Sequence, residues 1–146
     1  MAAPAGLTEA QVMAAVQAVE EASKAYDADA FALTVFDDVR FTQMPMDGQE
    51  QPQVAGKDAA LAVIRAQATE PGTRKYSSQV GAVRLAADGA SAEVPVAVTT
   101  EWEVDGQVAV ATADQVYTVA MRDGEVKVAA VVSTTTGLTV DGVKRY

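Results

Sequence analysis

Four runs of alternating apolar and polar residues, separated by turn signals, constrain the fold of this chain more than any other feature. The runs are Tyr76–Leu85, Ala92–Val104, Val108–Met121 and Val126–Thr136. Between them stand Ala87-Asp88-Gly89, Asp105-Gly106 and Asp123-Gly124, and Asp-Gly pairs are typical of tight β-hairpin turns. The second half of the chain is therefore predicted to form a meander of long antiparallel strands.

The first half of the chain follows a helical period instead. Thr8 is a good N-cap, and apolar residues recur on one face as far as Tyr26, which predicts a first helix between these two residues. Asp27 begins a short second helix, and a third spans Ala59–Thr69. Helices followed by an antiparallel meander indicate an α+β fold, with three N-terminal helices packed on one face of a curved antiparallel sheet.

Three shorter segments complete this outline. Phe36–Phe41 is interpreted as a helix end that turns into a strand. The polar residues 47–52 are predicted to form a loop, and 70–72 to end the third helix. The tail, Val140–Tyr146, is either a final edge strand or a loose end.

Length and composition fit a single compact domain. The chain has 146 residues, of which 49% are hydrophobic, enough to bury a substantial core. We therefore predict one domain over residues 1–146, with 1–7 and 141–146 as loose ends.

The sequence contains no histidine and no cysteine. This excludes Ser-His-Asp and Cys-His catalysis, thiolate zinc sites and histidine metal clusters within this chain. Chemistry must come from carboxylates or from Tyr, Lys, Arg, Ser or Thr side chains. We expect neither a metal nor a cofactor.

The net charge is −9, from 20 acidic and 11 basic residues. Such a surface repels nucleic-acid phosphates and anionic lipid, so neither nucleic acid nor a membrane is expected as a partner. No stretch approaches 18 uninterrupted apolar residues, and the first residues lack the basic and long apolar parts of a secretory leader. A cytoplasmic protein is predicted.

Three local patterns point to a family. Asp29–Val39 begins acidic and ends in an aromatic residue with acidic neighbours, Val54–Ala60 carries a G-x-x-A entry to the third helix, and Val126–Val140 forms a closing strand. With the order of the elements, these patterns resemble the cystatin-like, nuclear transport factor 2-like superfamily, and within it the ketosteroid isomerases and related polyketide cyclases. The resemblance implies a cone-shaped fold with a mostly apolar pocket between the first helix and the inner face of the sheet.

The resemblance also carries the catalytic positions of ketosteroid isomerases onto this chain. The aspartate base falls on Met44, and because a thioether accepts no proton at neutral pH, ketosteroid isomerisation itself is not expected. The tyrosine that stabilises the oxyanion falls on Glu20. The second oxyanion donor falls on Asp114, or on Thr112 when a different turn is used as the anchor.

Asp114, Glu20 and Tyr26 are therefore the predicted catalytic residues. Asp114 lies in a strand of small and β-branched residues and is expected to face inward, where burial would keep it protonated and able to donate a hydrogen bond. Its counterpart is Glu20, on the flank of the first helix's apolar stripe, or Tyr26, inside that stripe.

The residues predicted to line the pocket are Trp102, Met44, Val16, Phe41 and Val116. Neighbouring residues of a strand point to opposite faces of the sheet. Gln115 and Tyr117 line the pocket only if Asp114 faces solvent or if a bulge intervenes. Tyr76, beside Arg74 and Lys75, is a candidate to close the mouth of the pocket, although a surface or interface role is favoured.

The predicted function is a small, cofactor-independent enzyme that performs acid/base chemistry on an apolar, oxygenated small molecule such as a polyketide, terpenoid or steroid. The expected reaction is isomerisation, cyclisation, dehydration or epoxide opening. The alternative is a non-catalytic binding or dimerisation module of the same fold, and a third class is a protein–protein adaptor. A homodimer is predicted through the outer face of the sheet, to which we assign Ala97, Thr99, Ala109, Ala111, Ala113 and Val119.

Overall fold

The fold is seen in a computed structural model, which describes residues 6–45, 51–69, 73–104 and 106–144, without the side chains of 73, 74 and 104. Residues 47–50 of the predicted loop and the helix end predicted at 70–72 lie outside the described residues.

The described residues form three helices, α1 (Glu9–Ala25), α2 (Ala28–Ala32) and α3 (Lys57–Thr69). The predicted bounds of α1 are confirmed, because local capping sets both ends. Thr8 and Gln11 form a reciprocal capping box, in which the Thr8 Oγ1 accepts from the Gln11 N–H at 3.2 Å. Tyr26 closes the helix in the left-handed conformation, and Asp27 caps α2 by accepting from the Ala30 N–H at 3.1 Å.

The strands form a single sheet among the described residues. They are β1 (Val35–Gln43), β2 (Gln53–Ala55), β3 (Thr73–Val80), β4 (Arg84–Leu85), β5 (Ser91–Val104), β6 (Gln107–Arg122), β7 (Glu125–Val140) and β8 (Val143–Lys144). The order is β2-β1-β7-β6-β5-β3, with β4 on β5 and β8 on β7. The α+β prediction is confirmed, with one refinement, since β1 runs parallel to β7 while the other pairings are antiparallel.

Two Asp-Gly turns have the geometry that tight hairpins require. Asp123 and Gly124 have φ of 51° and 79°, and Asp141 and Gly142 have the same values. Positive φ at both central residues matches the twist of the flanking strands. After the second turn the chain forms an edge strand as far as Lys144, which decides between the edge strand and the loose end predicted for the tail. At the other end, Leu7 is buried in the core, so it is held in place although it was assigned to a loose end.

Two predicted segments need correction. Phe36–Phe41 is strand throughout, because β1 already begins at Val35 and buries it against the core. The run Tyr76–Leu85 is interrupted at Gly81, whose N–H donates to the Pro95 carbonyl at 2.7 Å. A Cβ atom at Gly81 would lie 2.8 Å from the Pro95 ring, so the close approach requires glycine.

The sheet curves around α1. Register shifts between β6 and β7, at Thr112/Ala113 and at Thr118/Val119, add residues on one side of the pairing, and such bulges bend a sheet. The concave face that results packs against the apolar side of α1. The fully buried side chains are Val12, Val16, Val35, Val39, Val94, Val96, Val119 and Val128.

The inner and outer faces of β6 differ from the prediction. Tyr117 and Val119 are buried beneath α1, whereas Val116 is 36% exposed on the outer face. Val119 and the residues that share its parity, Ala109, Ala111 and Ala113, were therefore placed on the wrong face. The exposed outer surface instead includes Ala97, Asp114, Val116, Val132 and Thr134.

Among the residues that the structure describes, no helix is long and apolar enough to cross a membrane. The cytoplasmic location stays a prediction.

Candidate functional site

A cavity of about 400 Å³ opens between the helices and the inner face of the sheet. It is lined by Val19, Ser23, Tyr26, Phe31, Phe41, Ala55, Ala59, Ala60, Val63, Ile64, Gln67, Tyr76, Thr100, Gln115, Tyr117 and Val131. Five of these described lining residues are aromatic and none is charged. The volume is in the range of small-molecule sites, and the uncharged wall favours a neutral ligand.

A buried carboxylate lies behind this wall. Glu20, on α1, is only 5% exposed, and its Oε1 accepts a hydrogen bond from the Tyr117 hydroxyl at 2.9 Å. Its Oε2 is also buried and has no hydrogen-bond partner among the described residues. Leaving a buried carboxylate oxygen without a partner is energetically costly, so this atom is available to accept a further hydrogen bond.

Two tyrosines connect the carboxylate to the cavity. Tyr117 lies on the inner face of β6. Tyr76 lies on β3, and β5 separates these two strands in the sheet. Burial raises the pKa of both phenols, and the charge of Glu20 raises each further. Both hydroxyls therefore stay protonated at neutral pH and can donate hydrogen bonds. Glu20, Tyr76 and Tyr117 are called the carboxylate–tyrosine cluster below.

The three predicted catalytic residues lie in different parts of the structure. Glu20 belongs to this cluster, and its burial shows that the side of α1 facing the sheet is wider than the apolar stripe. Tyr26 lines the cavity from the end of α1. Asp114 is exposed on the outer face of β6, so the expectation that it faces the pocket is wrong. The physical reason is the alternation of β6, which turns Gln115 and Tyr117 inward and Asp114 outward.

The predicted lining residues are placed as follows. Phe41 lines the cavity, whereas Val16 is fully buried in the core and is not among the described lining residues. Val116 lies on the outer face, so its assignment to the pocket is wrong for the same reason as that of Asp114. Met44 and Trp102 are half-buried, and neither is among the described residues that line the cavity.

Three cavity residues were missed or left as an alternative. Gln115 and Tyr117 were predicted to line the pocket only if Asp114 faced solvent, and that condition holds. Tyr76, for which the sequence favours a surface or interface role over closing the pocket mouth, lines the cavity and is half-buried between exposed neighbours in β3. The available sequence signal was that the apolar residues Tyr76 and Val80 share one parity of the strand.

No group of three or more acidic side chains that could hold a metal ion is found within the described ranges. The cavity wall likewise offers amides, hydroxyls and aromatic rings. What these groups can do is bind a neutral ligand, donate hydrogen bonds to its oxygen atoms and exchange protons with the buried carboxylate.

Comparisons with solved structures show the fold. A ketosteroid isomerase-like protein from Erwinia carotovora atroseptica superposes with a TM-score of 0.67 at 20% identity, over 86% of this chain and 94% of that one. A nuclear transport factor 2-like protein from Cytophaga hutchinsonii gives 0.66 at 16%, over 89% and 100%. A hexachlorocyclohexane dehydrochlorinase gives 0.65 at 15%, over 91% and 93%. The sequence matches no protein-family model and no curated protein. The predicted nuclear transport factor 2-like fold is confirmed, and it serves many chemistries.

Proposed function

We propose that this protein binds a neutral, mostly apolar small molecule bearing an oxygen function in the cavity, and moves a proton on it without a cofactor. The observation that carries the proposal is the carboxylate–tyrosine cluster. Glu20 is a buried proton acceptor, and Tyr117 connects it to an uncharged, aromatic-lined cavity. A positioned acid or base in such a site accelerates proton transfer by a factor on the order of 10²–10⁴.

Glu20 is not among the described residues that line the cavity, so a ligand proton must reach it through another group. The carboxylate–tyrosine cluster supports such a relay. A phenol has one hydrogen and two acceptor lone pairs, and Tyr117 directs its hydrogen at Glu20. A ligand proton can pass to the Tyr117 oxygen as Tyr117 passes its own hydrogen to the carboxylate. Return of the proton to a different ligand atom gives an isomer, so the reaction balances without another reactant.

Tyr76 supplies the complementary group. Its raised pKa keeps the hydroxyl protonated, so it can donate to the ligand oxygen on which negative charge develops. The fold also supports the proposal in a general way, since one of the similar structures is a dehydrochlorinase named for an uncharged, apolar substrate.

Proton exchange on a simple ketone tests this proposal without knowledge of the natural substrate. The probe is 2-tetralone, a neutral aromatic ketone with acidic hydrogens beside its carbonyl. In D₂O, we expect the protein to accelerate deuterium incorporation at these carbons, as followed by proton NMR, and 2-tetralone to raise the melting temperature. Binding without exchange would contradict the catalytic part of the proposal, and absence of both would contradict all of it.

A second candidate function is a non-catalytic binding module of the same fold. One observation favours it: the described residues lining the cavity include no carboxylate, so every proton would have to pass through a tyrosine. Under this alternative the cluster only orients the ligand. Binding of 2-tetralone with no exchange above the rate in buffer would support it.

The proposal includes self-association through the outer face of the sheet. Ala97, Val116, Val132 and Thr134 make part of this surface small or apolar, and Val116 and Val132 are 36% and 38% exposed. We expect light scattering at micromolar concentration to give twice the 15.1 kDa mass of one chain. A single-chain mass at that concentration would contradict the dimer.

A further inference from the structure

A second cavity, of about 410 Å³, adjoins the first. The two share Phe41, Ala55, Gln115 and Val131 as lining residues. They are therefore neighbouring spaces on the same inner face, and a ligand longer than the first cavity can extend into the second.

Two successive rows of side chains on the sheet line the cavities, and the two cavities overlap at Phe41, Val131 and Gln115. One row runs across β6, β7 and β1 through Tyr117, Val131 and Phe41. The next row on the same face, two residues further along each strand, is Gln115, Ser133 and Gln43. Successive rows lie roughly 7 Å apart. The wall thus changes from aromatic and aliphatic to amide and hydroxyl over that distance.

Gln115 lines both cavities, and its side-chain oxygen lacks a hydrogen-bond partner among the described residues. This atom, Oε1, is buried. The Gln43 amide, in contrast, already donates to the Thr135 Oγ1 at 3.2 Å and to the Met44 carbonyl at 3.4 Å. Rotation about the last torsion of a glutamine is soft, so the Gln115 oxygen can turn to meet a donor in either cavity.

The second cavity is also uncharged. Its polar lining consists of Thr42, Gln43, Gln53, Gln115 and Ser133. Amides and hydroxyls pair well with other neutral polar groups, whereas an ion placed here would lose its hydration without a counter-charge.

From this arrangement we infer that the ligand is elongated and has two parts. An apolar ring portion occupies the first cavity, and a neutral hydrogen-bonding tail, of the hydroxyl or carboxamide class, passes Gln115 into the second. Gln115 determines specificity for the tail by accepting a hydrogen bond from it. This inference rests on the proposed function for the ring portion and adds the tail with its recognition residue.

Three matched probes test the inference: 4-(2-naphthyl)butanamide, 4-(2-naphthyl)butanoate and 2-butylnaphthalene. Their Kd values are measured by naphthalene fluorescence for the wild type, Gln115→Met and Gln67→Met. Gln67 is the matched control, because it is a glutamine that lines only the first cavity. We expect Gln115→Met to weaken amide binding relative to butylnaphthalene by about fivefold to tenfold, the value of one hydrogen bond, and Gln67→Met to leave this ratio unchanged. The butanoate should bind the wild type at least about tenfold more weakly than the amide.

The outcomes separate the inference from the proposed function. Butylnaphthalene lacks a tail, so its binding reports the ring site alone. An unchanged ratio in Gln115→Met, an equal change in Gln67→Met, or butanoate binding as tight as the amide would overturn the tail site and leave the proposed function standing. Failure of all three probes to bind the wild type would overturn both. Should Gln115→Met not fold, Ser133→Ala, in the same row, must weaken the amide selectively.

Discussion

Replacing Glu20 by glutamine is expected to slow deuterium exchange into 2-tetralone by a factor on the order of 10²–10⁴. Glutamine keeps the shape of the side chain, and its carbonyl can still accept the 2.9 Å hydrogen bond from Tyr117. It cannot take up the proton that Tyr117 would pass on. Binding of 2-tetralone, measured by thermal shift, should change little, because Glu20 is not among the described residues that line the cavity.

Asp114→Asn is the matched control for this variant. It makes the same carboxylate-to-amide change on the exposed outer face, so the exchange rate and the stability should both stay near those of the wild type. Wild-type exchange in Glu20→Gln would show that the buried carboxylate takes no part in proton transfer. A large loss of exchange in Asp114→Asn would restore Asp114 as the acid and undermine the cluster.

Val119→Asp is expected to lower the free energy of unfolding by more than about 4 kcal/mol, because it places an unpaired carboxyl group in the core. Val119 is fully buried beneath α1. Val116→Asp, three residues away on the same strand, should cost less than about 1 kcal/mol, since Val116 is 36% exposed on the outer face. Urea unfolding followed by far-UV circular dichroism compares the two.

This pair of variants tests the face assignment of β6 directly. Equal destabilisation by both, or greater destabilisation by Val116→Asp, would mean that Gln115 and Tyr117 do not point into the cavity. Because Val116 lies on the proposed dimer surface, light scattering on Val116→Asp also shows whether the outer face mediates association.

The sequence predicts the helices and the sheet well where local chemistry decides the structure. The ends of α1 depend on Thr8, Gln11 and Tyr26, all within reach of their own helix, and the hairpins depend on Asp-Gly turns. The face of β6 is different, because apolar residues occupy both parities of that strand. Tertiary packing selects Tyr117 and Val119 for the inside, in a core cluster that includes residues of α1 and other distant parts of the chain.

The candidate site is predictable only in part for the same reason. Glu20 and Tyr117 are separated by 97 residues, so nothing near Glu20 in the sequence explains why a charged residue of α1 is buried. The likeness to ketosteroid isomerases singled out Glu20 but also Asp114, which the strand alternation turns outward. Residue type and family position identify Glu20, whereas the sequence gives Tyr117 only as a conditional alternative, and tertiary structure is needed to bring both tyrosines to Glu20.

The parallel pairing of β1 with β7 also bears on how the chain folds during synthesis. Among the described residues, β1 has only the three-residue β2 and the distant β7 as neighbours. The long partner of β1 therefore exists only after the ribosome has released residues beyond 125. Until then, the apolar side of α1 lacks much of the surface that covers it. Pairings of such high sequence separation slow folding and prolong exposure of apolar surface. We expect nascent chains that stop before β7 to remain protease-sensitive and to bind chaperones, and the native fold to arise in one late step when β7 inserts between β1 and β6.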